Sequence, residues 1–547
     1  MLWRARSGVP GYRPVPTTVW PVNDTTTSTR RDLGARADVA APVEVVVLAV
    51  GALVVGIVLR FVTRSPLWLD EALSVNIAKL PIGQIPEALR HDGHPPLYYL
   101  LLHAWMAVFG TSDAVVRSLS GLFSLAALPL AFTIGRRRGG RLLAWIAVGV
   151  LAMAPFALRY ATETRMYSMV ILLVLVGYLL IDDVTRRGRD GLLRLVGLAL
   201  VTGALLLTHY WSFWLIGALE VVLAAQWWRD RTPEIRRSVG RAFIAVAAGG
   251  LLFLPWLPSF LYQSAHTGTP WASTQQPFSI FAIVLADFGG GGFRASDFVG
   301  AVFLVLVLLA LFGVARDRRH IDLDLVSVRQ FRFEAMVLVL TLLIGIAISS
   351  AAGSAFASRY ASVFFPLFVL LVAGGITRFA DRRLLAGAFA LVLGLSLMGA
   401  YWNVSFQRSE GRVAAHAINT AAAPGDLVIM CPDQLGPAFS RSLRDDLDVV
   451  VYPTMGAPDR VDWVDYASRN RASDPGAFGA DAVARAGSRQ IFLVWQTTYR
   501  TFETKCEGLF NALAAARPGS TTLVDDGGSQ YFEPATVTVF PARTPTS

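Results

Sequence analysis

The chain has 547 residues, of which 54% are hydrophobic and only 16% are charged. Soluble globular proteins carry about 25% charged residues, so this composition argues against a soluble protein. Repeated apolar runs match the length of about 20 residues that a helix needs to cross a bilayer. The net charge of +10 could indicate a nucleic-acid-binding protein, but the chain has no basic recognition element, so we expect no nucleic-acid partner. The sequence therefore predicts a polytopic α-helical membrane protein.

Apolar stretches before residue 405 predict about eleven transmembrane helices. Residues 1–42 mix Pro, Thr and Arg without periodicity and predict a disordered cytoplasmic arm. The first span lacks a small-residue cleavage site, so we interpret it as a retained span rather than a signal peptide. The candidate spans are residues 43–62, 114–134, 141–156, 163–181, 191–207, 210–228, 241–258, 298–315, 333–350, 360–377 and 384–402.

The arginine-rich loops between these spans predict the orientation of the chain. Short loops rich in Arg usually stay in the cytoplasm. All the clusters lie inside if the short apolar stretch 95–109 lies along, or dips into, the outer face instead of crossing. This topology places the N-terminus in the cytoplasm and the C-terminus outside the plasma membrane. The clusters lie at residues 136–141, 186–194, 229–241, 316–332 and 378–383.

The same topology brings several polar segments to one outer face. They are residues 68–99, 157–163, 208–210 and 351–359. The long connection 259–297 also lies outside, and its glycine run at 289–292 is compatible with a flexible gate or with a simple linker.

Residues 406–547 differ from the rest because charged residues return and apolar runs shorten. The segments DLVIM at 426–430, DVVVY at 448–452 and QIFLVW at 490–495 predict β-strands, with helical patterns between them. We expect a transmembrane domain over 43–405 and an extracytoplasmic α/β domain over 406–547. Outside the cytoplasm Cys431 and Cys506 could form a disulfide; the alternative is two buried thiols.

An acidic pair, Asp70 and Glu71, follows the first span in the sequence WLDEALS. Ionisable residues at membrane depth are rare and usually functional. One carboxylate could act as a base while the other holds a partner or a metal. Alternatively, Asp70 caps the helix that follows it.

Two further polar groups lie on the predicted outer face. The segment HDGHPP contains His91 and His94 before a proline pair, which suits a surface turn or, more weakly, a metal site. Glu163 and Arg165 in YATETRMYS open a span, where the helix dipole favours a carboxylate in any case. A functional Glu163 would raise the pKa of Asp70 or bind a cation.

Two more pairs combine a basic side chain with an aromatic one at the outer edge. His209 and Tyr210 in THYW resemble a polar, aromatic mouth, although an aromatic belt explains the tyrosine equally well. Arg359 and Tyr360 in SRYASVFFP place a cation at the outer boundary, whereas the large basic clusters lie inside. Such a cation suits a phosphate headgroup; the alternative is snorkelling to ordinary lipid headgroups.

Together these segments resemble the GT-C superfamily of membrane glycosyltransferases, specifically the bacterial branch related to protein O-mannosyltransferases and the aminoarabinose transferase. The matching strings occur in the expected order over about residues 45–375, and the match is most specific in the first half. The family often has Gln where Thr162 stands. The strings are WLDEALS, DGHPPLYYLLLHAWMAVFGTSDAVVRS, RRRGGR, APFALRYATETRMYS, THYW and SRYASVFFP.

The resemblance implies an inverting transfer of a sugar from a polyprenyl phosphate to an acceptor hydroxyl outside the membrane. Asp70 matches the acidic residue that deprotonates the acceptor, and Glu71 would assist or orient it. Glu163 matches a second acidic position near the sugar or a cation, and Arg359 matches the basic residue that neutralises the leaving phosphate. The other predicted substrate contacts are His94, Arg165, His209, Tyr210 and Tyr360.

The resemblance also implies the partners. The donor would be a polyprenyl-phosphate-linked sugar, and the acceptor a glycan, lipoglycan or protein of the cell envelope. The Arg-rich, Ala-rich composition suggests an actinobacterial origin, which favours mannose, with arabinose or another pentose as the alternative. A divalent cation, Mg²⁺ or Mn²⁺, would be held by Asp70 and Glu163 if one is needed.

Two other classes of function compete with this prediction. A transporter or lipid flippase is disfavoured because the chain has no inverted repeat and no matching pair of broken spans. A scaffold that binds partners through the outer domain would leave Asp70, Glu71 and Arg359 without a purpose.

Overall fold

The structure, a computed structural model, describes residues 40–543 apart from residues 271, 273, 274, 293 and 354. The predicted arm 1–42 therefore lies almost entirely outside the described residues. A helix stands at each predicted span, and the predicted polytopic helical fold is confirmed. The helices up to residue 405 are α1 Val43–Leu59, α2 Leu69–Ala78, α3 Ile85–Asp92, α4 Leu97–Phe109, α5 Asp113–Met153, α6 Pro155–Ala161, α7 Tyr167–Thr185, α8 Leu192–Leu206, α9 Ser212–Arg229, α10 Pro233–Gly250, α11 Leu257–His266, α12 Pro277–Phe288, α13 Ser296–Phe312, α14 Arg332–Ala351, α15 Phe365–Ile376 and α16 Arg382–Ser405.

Several of these helices are built to cross a membrane. Among the described residues, five helical stretches are long and apolar enough by length and composition, namely Asp113–Met153, Tyr167–Thr185, Pro233–His266, Arg329–Ala351 and Arg382–Ser405. Helix α1 leaves large apolar side chains such as Val47 and Val54 exposed along its length. Such a face suits lipid rather than water. The chain is a multi-pass membrane protein.

Helix α5 contains the predicted span 114–134 and most of the predicted span 141–156, and the two meet at a tight turn. Gly139 and Gly140 leave helical geometry there, and Gly140 has a φ of +73°. A residue with a side chain rarely adopts that conformation, so the glycines of the RRRGGR segment permit the turn.

Helix α4 covers the stretch that was predicted not to cross. With 13 residues it is about 20 Å long, well short of a hydrocarbon core of about 30 Å. Its length fits a helix that lies at one face of the membrane.

The glycine run at 289–292 is packed rather than free. A Cβ atom on Gly289 would lie 2.3 Å from the carbonyl oxygen of Ser296, and one on Gly290 would lie 2.9 Å from the Cα of Gly399. These glycines allow α12 to approach α13 and α16 closely, and a role of the run as a gate stays a prediction.

The region after α16 is a mixed α/β domain, as predicted, and we call residues 406–543 the outer domain after their predicted position. The three predicted strands are confirmed as β4 Leu427–Cys431, β5 Asp448–Val451 and β6 Ile491–Trp495, while β7 Thr521–Val524 and β9 Thr536–Phe540 were missed. These strands form a five-stranded sheet with the order β5–β4–β6–β9–β7. In this sheet β4 pairs in parallel with β5 and β6, and β9 pairs antiparallel with β6 and β7. The helices of this domain are α17 Gly411–Ala421, α18 Gly436–Phe439, α19 Tyr466–Ala472, α20 Pro475–Ala486 and α21 Lys505–Ala516.

Two small sheets complete the fold. Strands β1 Gly313–Ala315 and β2 Ile321–Leu323 form a hairpin after α13. Strands β3 Gln407–Ser409 and β8 Tyr531–Glu533 pair in parallel, and we call them the docking sheet. Cys431 and Cys506 are disulfide-bonded, which fits the predicted location outside the cytoplasm.

The outer domain packs directly on helices α2 and α3. Trp68, Leu69 and Leu73 belong to the same hydrophobic cluster as the interior of the outer domain. The backbone N–H of Trp463 donates to the carbonyl of His91 at 3.0 Å. This contact places the outer domain beside the segment that carries the acidic pair.

Candidate active site

Asp70 lies in the first turn of α2 and forms an ion pair with Arg359. The distance between Asp70 Oδ2 and Arg359 Nη1 is 3.1 Å, and the two side chains are 15% and 21% exposed. Arg359 sits in a 3₁₀ segment, Ser358–Val363, just before α15. The N-cap of α2 is Trp68 and receives no side-chain hydrogen bond, so the interpretation of Asp70 as the cap is wrong.

Glu71 points into a buried cage of arginines. Arg117 donates from Nε to Oε1 at 2.7 Å and from Nη2 to Oε2 at 2.6 Å, and Arg408 Nη1 lies 3.6 Å from Oε2. The backbone N–H of Thr164 donates to Oε1 at 2.9 Å. Burial would raise the pKa of Glu71, but the charges of Arg117 and Arg408 outweigh it and hold the pKa below its usual value. Both oxygens of Glu71 are occupied, which suits orientation rather than proton transfer.

We expect Glu71→Gln to destabilise the protein strongly, because the neutral amide would leave Arg117 buried without its counter-ion. Removing one partner of a buried pair costs about 3–5 kcal/mol. The measurement is the melting temperature of the purified protein in detergent. Glu87→Gln is the control, since Glu87 is exposed and pairs with Arg90 at 3.5 Å; such a pair contributes about 0–1 kcal/mol. If the Glu71→Gln protein melts at the same temperature as the Glu87→Gln control, the pairing of Glu71 with Arg117 does not stabilise the fold.

His94 joins two charged groups beneath the ion pair. Its Nδ1 lies 2.8 Å from the buried carboxylate of Asp92, and its Nε2 lies 2.8 Å from Arg165 Nη2. A guanidinium group can only donate, so Nε2 accepts and Nδ1 carries the proton. Arg165 also donates to the backbone carbonyl of Asp70 at 3.3 Å, and Tyr99 donates to Asp92 at 3.0 Å. His94 and Arg165 thus support the turn that carries Asp70.

His91 and His94 do not share a ligand. The Nδ1 atom of His91 lies 2.9 Å from Asp462 of the outer domain, while His94 faces Asp92. The two imidazoles therefore face different carboxylates, and a metal site in this segment stays a prediction.

His209 is buried between two tyrosine rings. Its ring centroid lies 5.7 Å from that of Tyr167 and 5.4 Å from that of Tyr360. The backbone N–H of Trp211 donates to its Nδ1 at 3.1 Å, which leaves Nε2 as a donor. Burial, together with the charges of Arg165 and Arg359, holds the pKa of His209 well below its usual value. His209 is therefore a neutral donor.

Tyr210 lies apart from this group. Its hydroxyl donates to Gln263 and accepts from Trp256 Nε1 at 2.9 Å, and its ring packs on Phe260 at 4.8 Å. Within the described residues, the hydrogen bonds of Tyr210 reach none of the other predicted site residues. The reason is that Tyr210 and His209 are adjacent and point to different neighbours. A substrate contact for Tyr210 stays a prediction.

Glu163 is buried beneath the site, and its Oε1 atom has no hydrogen-bond partner. Arg408 donates from Nη1 to the carbonyl of Thr162 at 3.0 Å and from Nη2 to its hydroxyl at 2.9 Å. Relatives often have Gln at this position; here the Thr162 that replaces it is bound by Arg408 of the outer domain.

The acidic residues of this site face arginines, and the predicted Mg²⁺ or Mn²⁺ site stays a prediction. In the part of the chain that the structure describes, no three His, Cys, Asp or Glu side chains converge as metal ligands. The carboxylate of Asp70 faces Arg359, and Glu163, the other predicted ligand, lies near Arg408 and Arg159.

Four of the residues around this site were missed by sequence reasoning. Arg117 and Tyr99 lie inside the matched strings, but nothing in those strings singles them out. Arg408 and Glu533 come from the docking sheet, far along the chain, and no motif marks them. Glu533 Oε1 accepts the backbone N–H of Leu69 at 2.9 Å.

Comparison with known proteins identifies the fold. No family model and no curated protein matches the chain. Among solved structures, ArnT from Cupriavidus metallidurans in the apo state aligns with a TM-score of 0.59 at 13% sequence identity, over 90% of this chain and 97% of that chain. This chain has the GT-C fold. The same ArnT bound to undecaprenyl phosphate aligns with the chain at a TM-score of 0.53 and 14% identity, over 91% and 98%.

The GT-C fold confirms the resemblance drawn from the sequence strings. The alignment with ArnT includes the outer domain, because it spans nine-tenths of the chain, whereas the strings end near residue 375. The structural similarity to ArnT therefore extends into the outer domain, where the sequence strings showed no resemblance.

Proposed function

We propose that the chain is a glycosyltransferase that moves a sugar from a polyprenyl phosphate to an acceptor hydroxyl on the outer face of the plasma membrane. The observation that carries the proposal is the ion pair of Asp70 and Arg359 at 3.1 Å, partly open to solvent at the start of α2. In this pair the carboxylate of Asp70 supplies a base, and the adjacent guanidinium group of Arg359 supplies a phosphate-binding site. ArnT, a protein of the same fold, has been crystallised with undecaprenyl phosphate.

The chemistry is a single displacement at the anomeric carbon. The acceptor oxygen bonds to that carbon while the bond to the phosphate oxygen breaks, and the acceptor proton passes to Asp70. Charge develops on the departing phosphate, and Arg359 is placed to stabilise it. Donor phosphate and Asp70 compete for Arg359, so phosphate binding would release the Asp70 carboxylate for its role as base.

The surrounding residues orient these two groups. Arg165 binds the carbonyl of Asp70, and His94 holds Arg165. His209 packs on Tyr360, the residue after Arg359, with ring centroids 5.4 Å apart, and both would offer neutral donors to the sugar or the phosphate. Glu71 stays in its arginine cage and fixes α2 against the membrane domain.

We propose that the reaction needs no divalent cation, because arginines occupy the positions where a cation would neutralise phosphate. We expect EDTA to leave the rate of polyprenyl phosphate release unchanged, and added Mg²⁺ or Mn²⁺ to raise it by less than about twofold. The measurement is the initial rate with chelator and with each metal. A rate that EDTA abolishes and Mg²⁺ or Mn²⁺ restores would contradict this proposal.

The transferred sugar in this proposal is mannose, with arabinose as the alternative, because the composition of the chain favours an actinobacterial source. The acceptor would be a glycan, a lipoglycan or a protein of the cell envelope. The test supplies polyprenyl-phosphomannose and polyprenyl-phosphoarabinose separately to purified protein with lipoglycan acceptors. Release of polyprenyl phosphate with one donor identifies the sugar, and release with neither donor, from folded protein, counts against the proposal.

The proposed orientation keeps the N-terminus in the cytoplasm and the outer domain outside. The disulfide between Cys431 and Cys506 supports this placement, since such bonds persist in oxidising compartments.

A further inference from the structure

The docking sheet touches the first residues of α2 at two successive positions. The ring of Phe532 meets the ring of Trp68 edge-on, with centroids 5.1 Å apart. The next residue, Glu533, accepts the backbone N–H of Leu69 through Oε1 at 2.9 Å. The first N–H groups of a helix have no partner within the helix, so the outer domain supplies one here.

Glu533 is unusual because its carboxyl group is buried. Its side chain is buried, with the residue only 2% exposed, and its Oε2 atom has no hydrogen-bond partner. Burial, reinforced by the charges of Asp70 and Glu71, raises the pKa of Glu533 well above its usual value. A neutral carboxyl group at this point still accepts the N–H of Leu69 and adds no negative charge beside Asp70.

The contact lies one residue from the proposed base. Leu69 precedes Asp70, and the guanidinium carbon of Arg359 lies 6.0 Å from the centre of the Trp68 ring. Both members of the ion pair therefore adjoin residues that the docking sheet holds. A small displacement of a reacting group is enough to reduce a rate about 100-fold.

We propose that Glu533 is a positioning residue of the transfer reaction, through which the outer domain fixes Asp70 by accepting the backbone N–H of Leu69. The inference rests on the proposed function. It assigns the outer domain a part in the chemical step, in addition to any part in binding the acceptor.

Glu533→Ala and Glu533→Gln separate this role from simple domain packing. The amide oxygen of Gln can still accept the Leu69 N–H, so E533Q should retain a kcat close to that of the wild type. We expect E533A to lower kcat about 10- to 100-fold, with the KM for the donor nearly unchanged. E533D, which is one methylene shorter and cannot reach Leu69, should behave like E533A and serves if E533A does not fold.

Asp426 provides a matched control within the same domain. It is also a buried carboxylate, and it accepts the backbone N–H groups of Ala423 at 2.8 Å and Gln490 at 3.1 Å, both in the outer domain and outside the docking sheet. We expect D426A to lower the melting temperature in detergent while the folded protein keeps its kcat.

The outcomes are distinguishable. Wild-type release of polyprenyl phosphate in the same assay tests the proposed function, and its absence defeats that function itself. With an active wild type, a loss of kcat in E533A that E533Q rescues supports the positioning role. An E533A variant whose kcat matches that of D426A, or an E533Q variant as impaired as E533A, would overturn it.

Discussion

Asp70→Asn is expected to reduce sugar transfer by about 100- to 10,000-fold, the range that a lost general base costs. The amide cannot take the proton of the acceptor hydroxyl, and it no longer carries the charge that pairs with Arg359 at 3.1 Å. The measurement is the initial rate of polyprenyl phosphate release by purified protein in detergent, normalised to folded protein.

Asp445→Asn is the matched control for this substitution. Asp445 is an exposed aspartate of the outer domain, so its loss should leave the rate unchanged. A folded Asp70→Asn protein with the rate of the Asp445→Asn control would remove Asp70 from the role of base. Loss of activity at normal abundance and membrane insertion would in turn exclude the scaffold interpretation.

Arg359→Gln is expected to reduce transfer by about 100- to 1,000-fold, the loss typical of one donor that stabilises developing charge. The neutral amide cannot balance the charge on the departing phosphate, and the KM for the lipid donor should rise as well. Arg359→Lys keeps the charge but loses the planar fork of donors, so we expect it to recover only part of the rate.

The control for Arg359 is Arg460→Gln. Arg460 is an exposed arginine of the outer domain whose partner is its neighbour Asp459 at 3.3 Å, and its replacement should leave both kcat and KM intact. An Arg359→Gln protein with an unchanged KM and an unchanged kcat would show that the phosphate binds elsewhere.

The membrane part of the site could be predicted because topology limits where polar groups can lie. Asp70 and Arg359 are far apart in the sequence, yet both were assigned to the outer face, and they form an ion pair. His94, Arg165 and Glu163 gather beneath the same turn for the same reason. The motif strings carry these residues, and the positive-inside pattern orients them.

The contacts made by the docking sheet could not be predicted. Arg408 and Glu533 act through side chains that reach residues hundreds of positions earlier, such as Leu69. Local patterns contain no signal for such contacts, and the strands that carry Arg408 and Glu533 have three residues each.

The direction of adjacent side chains also could not be predicted from the sequence. Glu71 and Asp70 are adjacent, but one enters an arginine cage and the other faces Arg359. Likewise His209 joins the site while Tyr210 turns to Gln263. Which of two neighbours faces the site depends on the packing around them, and the pattern of residue types along the chain does not specify it.

The central claim is that the chain breaks the bond between a sugar and a polyprenyl phosphate. The most direct test follows a donor labelled in the sugar, in liposomes that contain the purified protein and an acceptor, and counts both products. We expect one polyprenyl phosphate to be released for each sugar that becomes attached to acceptor, with the anomeric configuration inverted. Movement of the intact donor across the bilayer, with no phosphate released and no labelled acceptor, would contradict it and identify a transporter.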